Sequence, residues 1–465
     1  MLRTHYLHPL LEPKSLAIIG ASEKPGSIGH VILQNILASG FKGQLWAVNP
    51  KHSEILGQAC LPSIEQIGSR VDLAIVTTAP RTIPLIIEQC SKAGVQHLVI
   101  VSNPASAGGS SATHERRIRD AARNFGVRIL GPKSLGIIRP SIALNATFTE
   151  IVAKPGDLAL VAQSGAMCAA VLDWATMNKI GVSSVVALGA AMDVDFGEIL
   201  DYLVADEQTR YILLHVERVR HARKFMSALR SAARVKPVIL LKSGNHGAEE
   251  ALESSFGQSP LDDAVFDAAV RRAGVVRVHS ISQLFHAAKA LASGFHPRGN
   301  QLAIISNGTG PAAMAADSAR TLGIPMPKLA PETISTMKKF LPHDWAGGVP
   351  IDLGGDATPE RYLQAISALA GDAHVDAILV VLSPLAMAQP KRVAEGIVEL
   401  VRNQRITLCC CFMGGEQISE ARRILEAAGI PVFLTPDTVI ELFHSISKYY
   451  QNQKLLLQTP GPNQN

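Results

Sequence analysis

The sequence predicts an α/β protein built from three doubly wound parallel-sheet domains, and three observations carry that expectation. Short β-branched runs ending in Gly, Asn, Ser or Pro alternate with Ala/Leu-rich stretches along most of the chain. That order yields parallel strands joined by right-handed helical crossovers. The strand runs are apolar almost without interruption, as in SLAIIG at 15–20 and AILVVLS at 377–383, which suits sheets covered on both faces. Finally, 465 residues, 47% hydrophobic and only 5% aromatic, allow about three domains at roughly 150 residues each, every one large enough to bury a core.

Taken in order, the first domain (1–147) collects SLAIIG (15–20), QLWAVN (44–49), DLAIVTT (72–78), HLVIVS (97–102) and VRIL (127–130). The second (148–294) collects DLALVA (157–162), VSSVVAL (182–188), YILLHV (211–216), PVILLK (237–242) and VVRV (275–278). The third (295–450) has QLAIIS (301–306), AILVVLS (377–383), TLCCCF (407–412) and PVFL (431–434). The boundaries fall at LNATFTEIVAKPGD (144–157) and SGFHPRGN (293–300), both rich in turn residues. A polar tail, 451–465, is expected to fray.

Charge and composition narrow the functional classes. The formal net charge is +5, with Lys and Arg scattered and only Arg218–Lys224 locally dense. This suits a small anionic ligand and excludes a nucleic-acid partner. Apolar runs are strand-sized, so no membrane span is expected. The start MLRTHYLHPLLEPKS lacks a secretory h-region, and a cytoplasmic protein is expected. Six cysteines show neither disulfide nor zinc spacing, so no metal site is expected. Cys409, Cys410 and Cys411 read as small buried hydrophobes.

In doubly wound sheets ligands bind beyond the carboxyl ends of strands, so the loops there are the candidate sites. After the first strand run come Gly20, Ser22, Gly26 and Gly29, leading into the helical stretch HVILQNILASG. Such glycines let backbone approach a pyrophosphate, and a helix N-terminus adds free N–H groups and a positive dipole end. The loop is neither G-x-G-x-x-G nor a P-loop, and a tight turn without ligand is the competing reading. The second strand run ends Asn49-Pro50-Lys51, without the acid that would hold an NAD ribose. Lys51 suits a ribose that carries a phosphate, as in coenzyme A or NADP. Gly131-Pro132-Lys133-Ser134-Leu135-Gly136 forms a second glycine-bounded turn closing the first domain.

Several segments occur together in one order: SLAIIGAS…GSIG, AVNPKHSEILG, GPKSLGI, LALVAQSGAM, ALGAAMDVDFGEILDYL and LAIISNGTGPAAM. In this combination the chain resembles the ADP-forming acyl-CoA synthetase family, relatives of succinyl-CoA synthetase, from about Leu10 to Leu456. The extent matches the α-type half, a CoA-binding Rossmann-like domain followed by two flavodoxin-like domains. Within that resemblance VAQSGAM, HVERVRHARKF and DAAVRRAGVVRV look like the N-terminal region of Pat-type protein lysine acetyltransferases. Neither an ATP-grasp domain nor a GNAT domain is expected within these residues.

The resemblance implies that Gly20, Ser22, Gly26, Gly29, Asn49 and Lys51 contact CoA or acyl-CoA, with Gly131 and Gly136 flanking the thiol end. The family has Asn where this chain has Lys133. Gln163, Ser164 and Gly165 would offer a helix N-terminus and a hydroxyl to phosphate or the acyl group. Glu217 matches the acid that orients the family's phosphohistidine, and a surface carboxylate paired with Arg218 or Arg220 is the competing reading.

The family's loop histidine carries a phosphoryl group to ADP, a task suited to a neutral imidazole. Counting back from Asp263-Ala264-Val265-Phe266-Asp267 puts Ser255 at that position. A serine ester is too stable for that transfer, and His246 is the alternative histidine upstream. The expectation is therefore a CoA-binding, synthetase-like module lacking its phosphohistidine, regulatory or sensing in a lysine-acetyltransferase-like system. The alternative is the α subunit of an ADP-forming acyl-CoA ligase, reaching ATP/ADP only through a partner ATP-grasp subunit. Oligomerisation is expected in either case, and an NADP-binding protein is a third possibility.

Overall fold

The computed structural model describes residues 5–103, 111–244, 263–297, 299–404 and 406–457. The chain forms two compact units, Met1–Val275 and Val276–Asn465. The first contains two sheets. Its first sheet comprises β1 (Ser15–Ile19), β2 (Gln44–Val48), β3 (Glu54–Ile55), β4 (Gln58–Leu61), β5 (Leu73–Val76), β6 (His97–Ile100) and β7 (Arg128–Leu130). The order is β3–β4–β2–β1–β5–β6–β7, parallel except for the short β3–β4 hairpin.

Strand alternation sorts the apolar run of β1 onto two faces. Leu16 and Ile18 pack with Ile32, Leu33 and Ile36 of the helix Ile28–Ser39. Ala17 and Ile19 pack with Ile83, Ile86 and Ile87 of Ile83–Lys92 and Ile118 of Ser111–Phe125. Both faces are covered, which is why the run is apolar throughout. Each fully buried Leu or Ile contributes about 1.5–3 kcal/mol.

The second sheet takes β8 (Gly136–Arg139), β9 (Leu144–Thr147), β10 (Pro155–Ala162), β11 (Val182–Ala187), β12 (Tyr211–Val216) and β13 (Val238–Lys242). In this unit their order is β13–β12–β10–β11–β8–β9. Strands β10–β13 are parallel neighbours, whereas β8 runs antiparallel to both β11 and β9. The sequence expectation had left 136–147 in the first domain. Instead the chain leaves the first sheet at Leu130 and enters the second at Gly136. Two four-residue antiparallel strands, 136–139 and 144–147, lie just before and at the start of the turn-rich stretch that marked that boundary.

In the second unit β14 (Val276–Val278) comes first, then β15 (Leu302–Ser306), β16 (Ile351–Asp352), β17 (Ala377–Leu382), β18 (Leu408–Phe412) and β19 (Val432–Phe433). The last five form a parallel sheet in the order β16–β15–β17–β18–β19. Its core holds Tyr362 and Phe412, the Tyr362 hydroxyl donating to the carbonyl of Val381 at 3.0 Å. Cys409, Cys410 and Cys411 are fully buried and unpaired as disulfides. Burial pushes their thiols up, Cys411 to about 12, so they behave as apolar filling. Among the described residues no helix is long and apolar enough to cross a membrane.

Candidate functional site

The strand order of the first sheet reverses direction between β1 and β5, the topological switch point at which a ligand crevice opens. Gly20 ends β1 with a φ of +95°, and a Cβ there would stand 2.7 Å from Thr77 Oγ1 and 2.9 Å from Thr78 Cγ2. Gly29, in the first turn of the following helix, has still less room: a Cβ would lie 2.2 Å from the Gly20 carbonyl oxygen. Two glycines thus let the helix N-terminus and the β1 terminus close on each other, with unpaired N–H groups at the helix start. Gly26, at φ +74°, faces open space.

Side chains lock this loop. Ser27 caps the helix by accepting from the His30 N–H. Ser22 Oγ accepts from the Lys24 N–H at 3.1 Å, and its carbonyl meets His30 Nδ1 at 3.0 Å. Asn49 donates through Nδ2 to the Ala21 carbonyl at 2.8 Å and accepts from the Lys51 N–H at 3.0 Å. Its amide therefore ties the end of β2 to the glycine loop and sets Lys51, exposed, at the rim. Thr77 Oγ1 donates to the Gly20 carbonyl at 3.0 Å. Sequence reading missed Thr77 and Thr78 as the opposite wall. The TT ending of the DLAIVTT run was the available signal, once that strand is recognised as the neighbour of β1.

The second glycine-bounded turn joins the two sheets. Gly131 has φ +110°, and a Cβ there would meet the Ile100 carbonyl at 2.4 Å. The Lys133 N–H donates to the Ser102 carbonyl at 3.2 Å, which keeps the turn on the end of β6. From the other side, the Ala190 N–H donates to Pro132 O at 2.8 Å and the Met192 N–H to Gly131 O at 3.3 Å. Gly189, φ +57°, leaves no space for a Cβ, which would sit 2.2 Å from Pro132 O. Gly136 opens β8 with φ +117°, and a Cβ would lie 2.0 Å from Ala146 O of β9.

Gln163, at the end of β10, is buried and its amide is committed. Oε1 accepts from the N–H groups of Glu217 (2.7 Å) and Arg218 (2.8 Å), while Nε2 donates to the Arg218 carbonyl at 2.9 Å. Gln163 thus shapes the loop after β12. Ser164 caps the helix Gly165–Met177, accepting from the Met167 N–H. Gly165 fits against Leu135 of the turn, with a Cβ only 3.1 Å from that side chain.

Glu217 is exposed, yet surrounding protein pushes its carboxyl above the usual range, with Arg218 pulling the other way. Burial lowers Arg218 and Arg220, and the charge of the neighbouring Arg220 and Arg119 respectively adds to it. Behind this loop His215 of β12 is buried, its Nε2 2.6 Å from Ser243 Oγ. Burial holds its imidazole down at about 4, so it is neutral near pH 7. Ser255 and His246 lie outside the described residues.

In the second unit the SNGTGP segment forms its own turn. Asn307 is fully buried and bridges to Ser383 in both directions, its Nδ2 donating at 2.9 Å and its Oδ1 accepting at 2.8 Å. Thr309 donates to Asp352 at 3.0 Å. These bonds knit the ends of β15, β16 and β17 together.

Comparison with known proteins agrees with this geometry. Residues 14–140 match the family model described as a CoA binding domain, and 155–291 that of the succinyl-CoA ligase like flavodoxin domain. The chain is 37% identical to an ADP-forming acetate–CoA ligase I of Archaeoglobus fulgidus over 95% of its own length and 63% of that protein's. It therefore spans just under two thirds of that relative. It is 32% identical to the α subunit of acetate–CoA ligase I of Pyrococcus furiosus, covering 95% of this chain and 97% of that one. Among solved structures, the Ca. Korarchaeum cryptofilum dinucleotide-forming acetyl-coenzyme A synthetase 1, in complex with phosphate and ADP, superposes with a TM-score of 0.90 at 28% identity. That match covers 98% of this chain and 99% of the other.

Proposed function

Since this chain belongs to the ADP-forming acetate/acyl-CoA ligase family, as its α-type region, we propose that it binds CoA thioesters as the α-type component of such a ligase. The observation that carries the reading is the glycine cradle at the β1–β5 switch point. There Gly20 and Gly29 leave room only for backbone, and Gly26 and Lys51 line the open side. A cradle of that kind fits the pyrophosphate of CoA. Gly20, Ser22, Gly26 and Gly29 would hold it, Asn49 would keep the loop in shape, and Lys51 would meet the ribose phosphate. When bound, CoA supplies a thiol, or acyl-CoA a thioester, that the turn at Gly131–Pro132 would hold against the second sheet. Gln163, Ser164 and Gly165 would shape the acyl and phosphate end, and Glu217 would serve as an orienting acid there.

Relatives that are ligases, an α subunit among them, support this reading over a regulatory module of an acetyltransferase-like system. That second reading rests on Ser255 standing where the family has its phosphoryl-carrying histidine, and on Pat-like segments such as HVERVRHARKF. In the ligase reading, ADP and ATP would be handled by an ATP-grasp partner.

Mixing the chain with an ATP-grasp subunit, ADP, phosphate and acetyl-CoA separates the two. ATP formation is the outcome the ligase reading requires, with a residue other than Ser255 carrying the phosphoryl group. Tight CoA binding by calorimetry with no ATP formed would favour the CoA-sensing module, and NADPH binding without CoA binding would sink both. Gly29→Ala is expected to weaken CoA binding at least about tenfold, because its Cβ forces the cradle open.

A further inference from the structure

The cradle loop carries an acid, Glu23, between Ser22 and Gly26. Glu23 is exposed, and its Oε1 accepts from the Leu56 N–H at 2.7 Å. Leu56 sits at the tip of the β3–β4 hairpin, which follows Lys51 along the chain. We propose that Glu23 is a positioning residue that holds Lys51, through this hairpin, on the ribose-phosphate end of bound CoA. The inference rests on the CoA reading above and concerns how that site selects a phosphorylated ribose.

Geometry is the first argument. The segment 49–61 leaves the end of β2 and returns to it. At its base the Asn49 N–H donates to the Leu61 carbonyl at 2.9 Å, and β4 lies beside β2 with Val48 opposite Leu61. The outer part pairs Glu54 with Ala59 and Ile55 with Gln58, so Lys51 and His52 lie between the base and the hairpin. Two bonds tie this segment to the glycine loop. Asn49 Nδ2 reaches the Ala21 carbonyl at the base, and the Leu56 N–H reaches Glu23 at the tip. Together they anchor the Lys51 stretch at both ends to the loop that would hold the pyrophosphate. With the Asn49 bond alone, the hairpin is free to swing about its base and to carry Lys51 with it.

The chemistry of the turn is the second. Leu56 and Gly57 have φ +49° and +73°, the left-handed pair of a type I′ hairpin turn, where Asn, Asp or Gly is usual. A leucine is disfavoured at such a φ. Its side chain packs against the core beside the fully buried Ile55, which fixes the direction of the Leu56 N–H. That N–H has no place in the hairpin ladder, and Glu23 supplies its acceptor. A carboxylate in a loop that faces a pyrophosphate repels it, and the charge-assisted bond to Leu56 offsets that repulsion.

The test titrates the full chain calorimetrically with CoA and with dephospho-CoA, which lacks only the ribose phosphate. The unaltered chain is expected to bind CoA about tenfold tighter, and Lys51→Ala to erase that preference. Glu23→Ala is expected to cut it to about threefold or less, and Glu23→Gln, which keeps an acceptor for Leu56, to retain most of it. The double variant should show the same ratio as Lys51→Ala alone, since both changes act on one contact. An intact tenfold preference in Glu23→Ala overturns the proposal. That holds whether both ligands weaken alike through damage to the cradle or tighten alike through loss of the acid's repulsion. Equal affinity of the unaltered chain for the two ligands also overturns it and leaves the CoA reading standing. If neither ligand binds, the CoA reading fails and takes the proposal with it.

Discussion

At the scale of single residues, His215 shows how the site's surroundings set its chemistry. It sits at the end of β12, two residues before Glu217, with Nε2 on Ser243 and no hydrogen-bond partner for Nδ1 among the described residues. An unfolded histidine titrates near 6.5, whereas burial holds His215 at about 4. Between those values the unfolded chain binds the extra proton. The stability owed to neutral His215 is therefore complete above about pH 6.5 and is lost as pH falls from there through 4. At about 1.4 kcal/mol per unit, this is worth at most about 3.5 kcal/mol. His215→Gln, which keeps a polar group for Ser243, should flatten the urea-midpoint profile between pH 6.5 and 4. An unchanged slope would show that other histidines carry the acid sensitivity.

Elements show which parts of the molecule the sequence made legible. The long apolar runs of β1, β10 and β17 were readable because burial on both faces writes an unbroken β-branched string. The glycine loop was readable because close backbone approach at Gly20 and Gly29 admits no other residue. The hairpin β8–β9 was not: GIIR and LNAT are four residues each, and the strand that β8 joins, β11, lies far along the chain. Nor was the bracing of the loop after β12 by Gln163 legible, since its three bonds go to backbone at 217–218, far along the chain.

The same hairpin carries a buried Arg139 whose guanidinium donates twice to Asp206, both at 2.7 Å, and once to Glu12 at 2.6 Å. Tyr202 adds a 2.7 Å bond to Glu12. Burial works to raise the Asp206 carboxyl, but the Arg139 and Thr209 bonds outweigh it and hold the group below its usual range. Asp206→Ala strands the Arg139 charge and should cost about 3–5 kcal/mol in chemical denaturation. A loss below about 1 kcal/mol would mean that Glu12 alone satisfies Arg139.

Across the whole molecule, the two units have separate cores and unequal shares of the candidate chemistry. The cradle, the Gly131–Gly136 segment and the Gln163-held loop all belong to Met1–Val275, and its two family matches begin there. In the second unit, Asn307 and Thr309 spend their polar groups on Ser383 and Asp352, joining strand ends. A ligand that binds only the folded form stabilises what it touches by RT ln(1 + [L]/Kd), about 2.7 kcal/mol at a hundredfold excess over Kd. Amide exchange with saturating CoA should therefore slow at 20–29, 77–78 and 131–136, where backbone N–H groups face the cradle or hold the turn. Exchange at 302–310 and 377–383 should stay as it is in the free chain. Equal protection at Asn307 and Gly308 would make the SNGTGP turn a second ligand-binding element and would contradict the structural role its hydrogen bonds give it.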